Sequence, residues 1–290
     1  MAGVAVVVDT THYLPRPLVD ELGLHEVSLY VNWKGGTDRE RDLPDFDGFY
    51  AHLTTASDLP TTSQPSVGDF LEVYEPLLEA GHDIVSIHLS GQISGTVQSA
   101  EQAQATLVER GVAPERVAVV DSRTGCGAMG FLAIAAANVA RRGGSAAEAA
   151  AAAVRVREGL RIWFAVDTLE FLRRGGRIGA ARALLGATLK IKPILTLEEE
   201  ITPVERVRTA GRAEARLVDY LRERRAGGCD EFGIQHVRDP ERAARLADAG
   251  REIFGREPVF VSEIGPVIGT HVGPGLLGVS GTRSDLLDPR

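Results

Sequence analysis

Cysteine is scarce in this chain, with two in 290 residues. Cys126 and Cys229 stand far apart and neither belongs to a Cys-x-x-Cys pair. That excludes a disulfide framework or a thiolate zinc site as the organising principle. Apolar runs are short, and none approaches the roughly 20 residues that a bilayer span requires, so no transmembrane segment is expected. Positive charge is in deficit: 32 Lys and Arg against 40 Asp and Glu leave a net charge of −8. A phosphate backbone attracts the opposite balance, so nucleic acid is not an expected partner. A Walker A loop with its lysine is absent, which leaves nucleotide binding without its usual signature. The first residues run directly into Val4-Ala5-Val6-Val7-Val8 with no basic leader or cleavage site. A cytoplasmic location is therefore expected.

What remains is ordinary apolar content, 44%, in a chain long enough for two domains. The first half alternates short apolar strands with helices. Strands are expected at Val4–Val8, Val27–Val31, Asp83–Leu89 and Val117–Val120. Helices are expected from Asp45 to Leu53, from Ser66 to Glu79, from Gly95 to Arg110 and, alanine-rich, to Arg142. Ser66 with Asp69 and Ser145 with Glu148 have the spacing of capping boxes. This alternation argues for a parallel α/β sheet. The second half reads differently. Ile162–Val166 is an expected strand, Leu169–Arg174 and Ile178–Leu189 are expected helices, and Pro193–Leu197 with Ile201–Val207 form an expected hairpin. Amphipathic helices at Thr209–Arg225 and Pro240–Phe254, with strands at Phe232–Val237, Val259–Glu263 and Leu276–Val279, suggest an α+β unit with mostly antiparallel pairing. The expected architecture is α/β with two domains, residues 1–158 and 159–290, divided near Gly159.

Two hydroxyl-rich patches stand out: Pro60-Thr61-Thr62-Ser63-Gln64-Pro65 and Ile93-Ser94-Gly95-Thr96. Small hydroxyls beside free backbone N–H groups can hold an anion such as a carboxylate without a metal or a full positive charge. Thr61 and Thr62 also read as a simple turn between prolines. Ser94 reads as a helix N-cap or as part of an anion site at a helix start. A nucleophile elbow would need glycines where Gln92 and Thr96 stand. Ligands of parallel α/β sheets sit beyond the carboxyl ends of strands; the Ser94 loop leaves such an end, and the Thr62 loop is adjacent to it in chain order. His271, in Gly269-Thr270-His271-Val272-Gly273-Pro274-Gly275, reads as a loop residue projected into a cleft, or else as a satisfied core or surface histidine. The run Arg173-Arg174-Gly175-Gly176-Arg177 is a basic knot in an acidic chain, either a helix C-terminus or an anion attractor joined by Arg206 and Arg208 of the hairpin. Gly125-Cys126-Gly127-Ala128-Met129-Gly130 matches Gly-x-Gly-x-x-Gly, but four residues separate it from its strand. It is read as a close-packing helix face rather than a dinucleotide site.

Taken in order, these stretches resemble the DegV family of bacterial fatty-acid-binding proteins. The matching segments are Asp9-Thr10-Thr11 with Leu14-Pro15, Pro60 to Ser66, Leu89-Ser90 with Ile93 to Thr96, Asp121-Ser122, Asp167 to Ile178 running on to Lys192-Pro193-Ile194-Leu195, and Gly269 to Gly275. They cover one unit of about residues 3–282. The resemblance implies a long-chain fatty acid between the two domains, its carboxylate held by Thr62 and Ser94 with His271 nearby and Thr61, Gly95 and Thr96 in support. It implies no cofactor beyond that ligand and no catalysis by the chain itself. A separate ATP-dependent fatty acid kinase is the implied partner, feeding phospholipid synthesis, with Arg173, Arg177 and Arg208 as candidate contacts. Thr10 replaces the family's usual serine, Val97 a common tyrosine and Gly91 a second serine, differences that bear on pocket detail. The rival readings are an acyl hydrolase or phosphotransferase using Ser94 or His271, and a carrier of another small carboxylate.

Overall fold

The computed structural model describes residues 3–43, 46–55, 59–185 and 191–288. Seven strands come from the first half: β1 (Val4–Asp9), β2 (His25–Val27), β3 (Tyr30–Trp33), β4 (Gly36–Arg39), β5 (Thr61–Ser63), β6 (Asp83–His88) and β7 (Val117–Asp121). Four of them form a parallel sheet in the order β2-β1-β6-β7. Val and Ala make up β1 up to Asp9, and β6 is buried from Ile84 onward, as expected for strands covered on both faces. The chain steps from β1 outward to β2 and then returns to the other side of β1, so the strand order reverses between β1 and β6. Loops at the carboxyl ends of these two strands therefore diverge and leave a crevice.

The second half supplies β8 (Arg161–Ala165), β9 (Lys192–Glu198), β10 (Glu200–Val207), β11 (Glu231–His236), β12 (Phe260–Glu263) and β13 (Leu277–Thr282). They form a six-stranded sheet, β10-β9-β8-β13-β11-β12, antiparallel throughout except for β11 with β12. The α/β class, with a parallel sheet first and a mostly antiparallel one second, is as the sequence implied.

Between the two sheets lies the helix Cys126–Arg141, which touches β1 and β6 on one side and β11 and β13 on the other. Residues 127–137 are buried around its whole circumference, which is why its sequence is apolar without a polar stripe. Its two inner glycines allow that double contact. A Cβ on Gly127 would lie 2.5 Å from the Phe260 ring, and one on Gly130 2.7 Å from Leu14. The Gly-x-Gly-x-x-Gly match is thus a packing feature.

Several expected elements shift. The single strand Val27–Val31 is two strands in different sheets, because the chain breaks at Ser28-Leu29. Leu29 offers its N–H to Thr10 and its carbonyl to Glu40, leaving neither for a ladder. The first expected helix spans Asp47–Thr55, and its expected start at Asp45 lies outside the described residues. Ile178–Leu189 contains a short 3₁₀ helix, Gly179–Leu184. Its expected continuation over 186–189 also lies outside the described residues. The capping boxes Ser66/Asp69 and Ser145/Glu148 form as read.

If the sandwiched helix depends on bare glycine at this contact, Gly127→Val should lower unfolding free energy by about 1–3 kcal/mol. Urea unfolding measures this, and an unchanged midpoint would contradict the packing account.

Candidate functional site

A cavity of about 280 Å³ lies where the carboxyl ends of the parallel sheet meet the inner face of the second sheet. Thr62, Ser94, Arg177 and His271 line it together with apolar walls that include Leu89, Ile93, Leu172, Leu197 and Val267. Thr62 reaches it from a strand, not from the expected turn. β5 pairs antiparallel with β3, placing Thr62 opposite Val31. A β-branched run suits that pairing, and alternation turns Thr62 inward while Thr61 faces solvent toward Asn32. Ser94 follows β6 but is not the N-cap. Gly95 takes that position, and Ser94 Oγ instead pairs with Thr96 Oγ1 at 2.8 Å and accepts from the Thr96 N–H at 3.3 Å. His271 sits in the last turn of a helix, Pro266–Val272, rather than on the expected loop. Its Nε2 meets Thr62 Oγ1 at 2.8 Å, and its Nδ1 is buried with no partner. Burial, then the neighbouring Arg177 charge, hold its pKa down to about 4, so the imidazole is neutral at physiological pH. Arg177 donates from Nε to the Ile93 carbonyl at 3.3 Å, tying the cation to the loop that carries Ser94. Cys126 opens its helix in the left-handed region, φ +53°, and also lines the cavity. Burial, then the charges of Glu40 and Asp9, push its thiol up to about 12, and it stays protonated.

Two buried carboxylates hold this arrangement in place. Asp9 is fully buried and accepts from the N–H groups of Thr11 and Leu89 at 3.0 and 2.9 Å. It also faces His88 Nδ1 at 3.2 Å. Burial favours its neutral form, but His88, Thr11 and Leu89 outweigh burial and leave its pKa lowered. By gripping Leu89, Asp9 fixes the start of the loop that carries Ser94. Ser90 fixes the loop's middle by donating to the Glu199 carbonyl at 2.6 Å, across to the β9–β10 turn. Glu40 is 3% exposed and accepts from Thr10 Oγ1, Tyr13 OH and the Val267 N–H, each at 2.8 Å. Tyr13 OH in turn accepts from the Ile268 N–H at 3.2 Å. Tyr50 donates to the Ile264 carbonyl at 2.8 Å. Three side chains of the first half thereby clamp the helix that presents His271.

The family model described as "Uncharacterised protein, DegV family" matches residues 3–283. The chain belongs to the DegV family. A DegV domain-containing protein of Streptomyces coelicolor is 42% identical over 279 residues, covering 95% of this chain and 97% of the relative. Protein DegV of Bacillus subtilis is 35% identical over 279 residues, covering 95% and 98%. Among solved structures, a DegV family protein of Thermus thermophilus, described for its fatty acid binding, superimposes with a TM-score of 0.86. It is 34% identical over 97% of this chain and 99% of that one. DegV of Bacillus subtilis, described as a fatty acid binding protein, superimposes with a TM-score of 0.85 at 33% identity, over 98% and 100%.

The DegV motifs fall into two groups in space. Thr62, Ser94, Arg177 and His271 converge on the cavity. Gly95 and Thr96 adjoin it without lining it, and the side-chain amide of Gln64 packs against Gly95. Arg173 pairs with Glu170 at 2.7 Å and is exposed. Arg206 and Arg208 are exposed and Arg208 lies just past β10, so none of these three lines the cavity. Glu40 gave no sequence signal, because Asp38-Arg39-Glu40-Arg41-Asp42 reads as a solvated charged turn. Ser86 and His88 were likewise silent, while Asp9 stood out as the first residue of the Asp9-Thr10-Thr11 stretch. Asp9, His88 and Ser86 form a buried hydrogen-bonded row that Tyr74 extends, and none of the four lines the cavity. Among the described residues, no cluster of His, Cys, Asp and Glu would hold a metal ion, and no helix is long and apolar enough to cross a membrane.

Glu40 makes a pH test available. Burial, only partly offset by the Val267, Thr10 and Tyr13 donors, raises its pKa from 4.5 to about 7. A raised carboxyl pKa favours the fold below pH 4.5, and that advantage is lost as pH rises toward 7. Relative to Glu40→Gln, wild-type unfolding free energy should fall by about 3 kcal/mol between pH 4.5 and 7.5. Parallel stability–pH curves for the two proteins would show that the carboxyl is not buried as described.

Proposed function

We propose that this protein binds a long-chain fatty acid, with its carboxylate at Thr62 and Ser94 and its tail in the apolar cavity between the two sheets. The observation that carries the reading is the polarity of that cavity: hydroxyls, an imidazole and one guanidinium gather at one part of it, against otherwise mostly apolar walls. The binding described for the Thermus and Bacillus relatives supports it. The neutral His271 serves the anion through Thr62. With Nε2 protonated it donates to Thr62 Oγ1, which leaves the threonine proton free to point at a carboxylate oxygen. Ser94 offers a second hydroxyl, already polarised by Thr96.

The tail supplies most of the affinity. A sixteen-carbon acid buries about 15 carbons beyond the carboxylate, worth about 0.8 kcal/mol each, or about 12 kcal/mol gross. Ordering and association take a large share of that. Each hydroxyl–carboxylate bond adds about 1.5–3 kcal/mol and fixes orientation. The protein acts as a carrier that presents the bound head to a separate ATP-dependent kinase, with Arg177 at the head and Arg173 and Arg208 on the outer surface as its contacts. A dry cavity would also shield an acyl phosphate from water. The hydrolase reading finds less support, because Ser94 faces Thr96 and His271 faces Thr62, so the nucleophile has no base beside it.

Solvent extraction and mass spectrometry of the purified protein should yield stoichiometric C14–C18 acid. Finding none, with no uptake after delipidation, would sink the reading. Thr62→Ala with Ser94→Ala should weaken binding at least tenfold without unfolding the protein. Wild-type affinity in that double variant would refute the head assignment. For the kinase arm, Arg173→Glu with Arg208→Glu should slow acyl-phosphate formation while leaving acid binding intact, and unchanged transfer would count against these contacts.

A further inference from the structure

Gly278 has no local reason to be glycine. It lies inside β13, where glycine weakens a strand, and its backbone is not in the left-handed region. A Cβ built on it meets nothing closer than Phe164 Cβ at 3.4 Å, an ordinary contact. What the missing side chain leaves open is the cavity, which Gly278 lines. Phe164 stands opposite it on β8 and Gln235 on β11, so β13 forms the floor of a groove between two ridges.

Two residues on, about 7 Å along the strand, Ser280 faces the same cavity between Ile162 and Gly233. Ser280 is 3% exposed, and its hydroxyl has no hydrogen-bond partner among the described residues. The next residue on this face, Thr282, is buried and does not line the cavity. The groove therefore ends on an unpaired hydroxyl.

We propose that these two residues gauge the length of the acyl chain: bare Gly278 admits the chain along β13, and Ser280 is a polar stop. The inference rests on the fatty-acid reading above. A chain ending short of Ser280 leaves the hydroxyl free to meet water. A longer chain strips that water and offers nothing in return, a penalty felt only by the longest acids.

Calorimetric titration of delipidated full-length protein with saturated C12, C14, C16, C18 and C20 acids tests this. Ser280→Ala should tighten binding of the longest acids about tenfold and leave C12 unchanged. Gly278→Ala, which the backbone accepts, should weaken C16 to C20 about tenfold relative to C12, and Ser280→Leu should shorten the preferred chain by an independent change. Melting curves confirm that each variant folds. Length profiles in all three variants that run parallel to wild type would overturn the gauge while leaving fatty-acid binding standing. If wild type takes up no acid of any length, the fatty-acid reading itself falls, and the gauge with it.

Discussion

The 2.8 Å hydrogen bond between Thr62 Oγ1 and His271 Nε2 joins residues 209 positions apart and brings the two halves of the chain to one point. Much of the surrounding architecture keeps its two partners in place. β5 holds Thr62 by pairing with β3. The helix Pro266–Val272 holds His271, and Glu40, Tyr13 and Tyr50 hold that helix from the other half. Glycine is required where these clamps close. A side chain on Gly265 would strike Glu40 and Tyr13, one on Gly269 would strike Tyr50, and one on Gly175 would strike the His271 ring.

The electrostatics follow from burial. Imidazolium is disfavoured here, so His271 is neutral, and the cavity offers an anion dipoles and hydroxyls with Arg177 as the lining cation. In the function proposed above, such a site orients the acid's carboxylate. Affinity is left to the apolar walls, where it scales with the length of chain buried. That division of labour makes the far end of the cavity, rather than the head, the natural place for selectivity.

Much of the fold was legible because its signals are local. The capping boxes at Ser66 and Ser145, the strand alternation and the acidic hairpin turn each depend on a few neighbouring residues. The candidate site residues stood out as an ordered set of motifs, and Thr62, Ser94, Arg177 and His271 line one cavity. Their local settings were not legible. Pro60 and Pro65 made Thr62 look like a turn residue, because the strand it belongs to exists only through pairing with Tyr30 to Asn32. Glycines around His271 suggested a loop, because the contacts that stabilise its short helix come from Glu40 and Tyr13. Glu40 itself was invisible, since burying a carboxylate from a charged run depends on donors supplied by residues more than 200 positions away as well as near ones.

A crystal structure of the delipidated protein reloaded with palmitate measures directly where the acid's head lies. The proposed function predicts carboxylate oxygens about 2.5–3.0 Å from both Thr62 Oγ1 and Ser94 Oγ, with the tail running over β13. A palmitate bound in reverse, with its head at Ser280, or outside the cavity altogether, would contradict it.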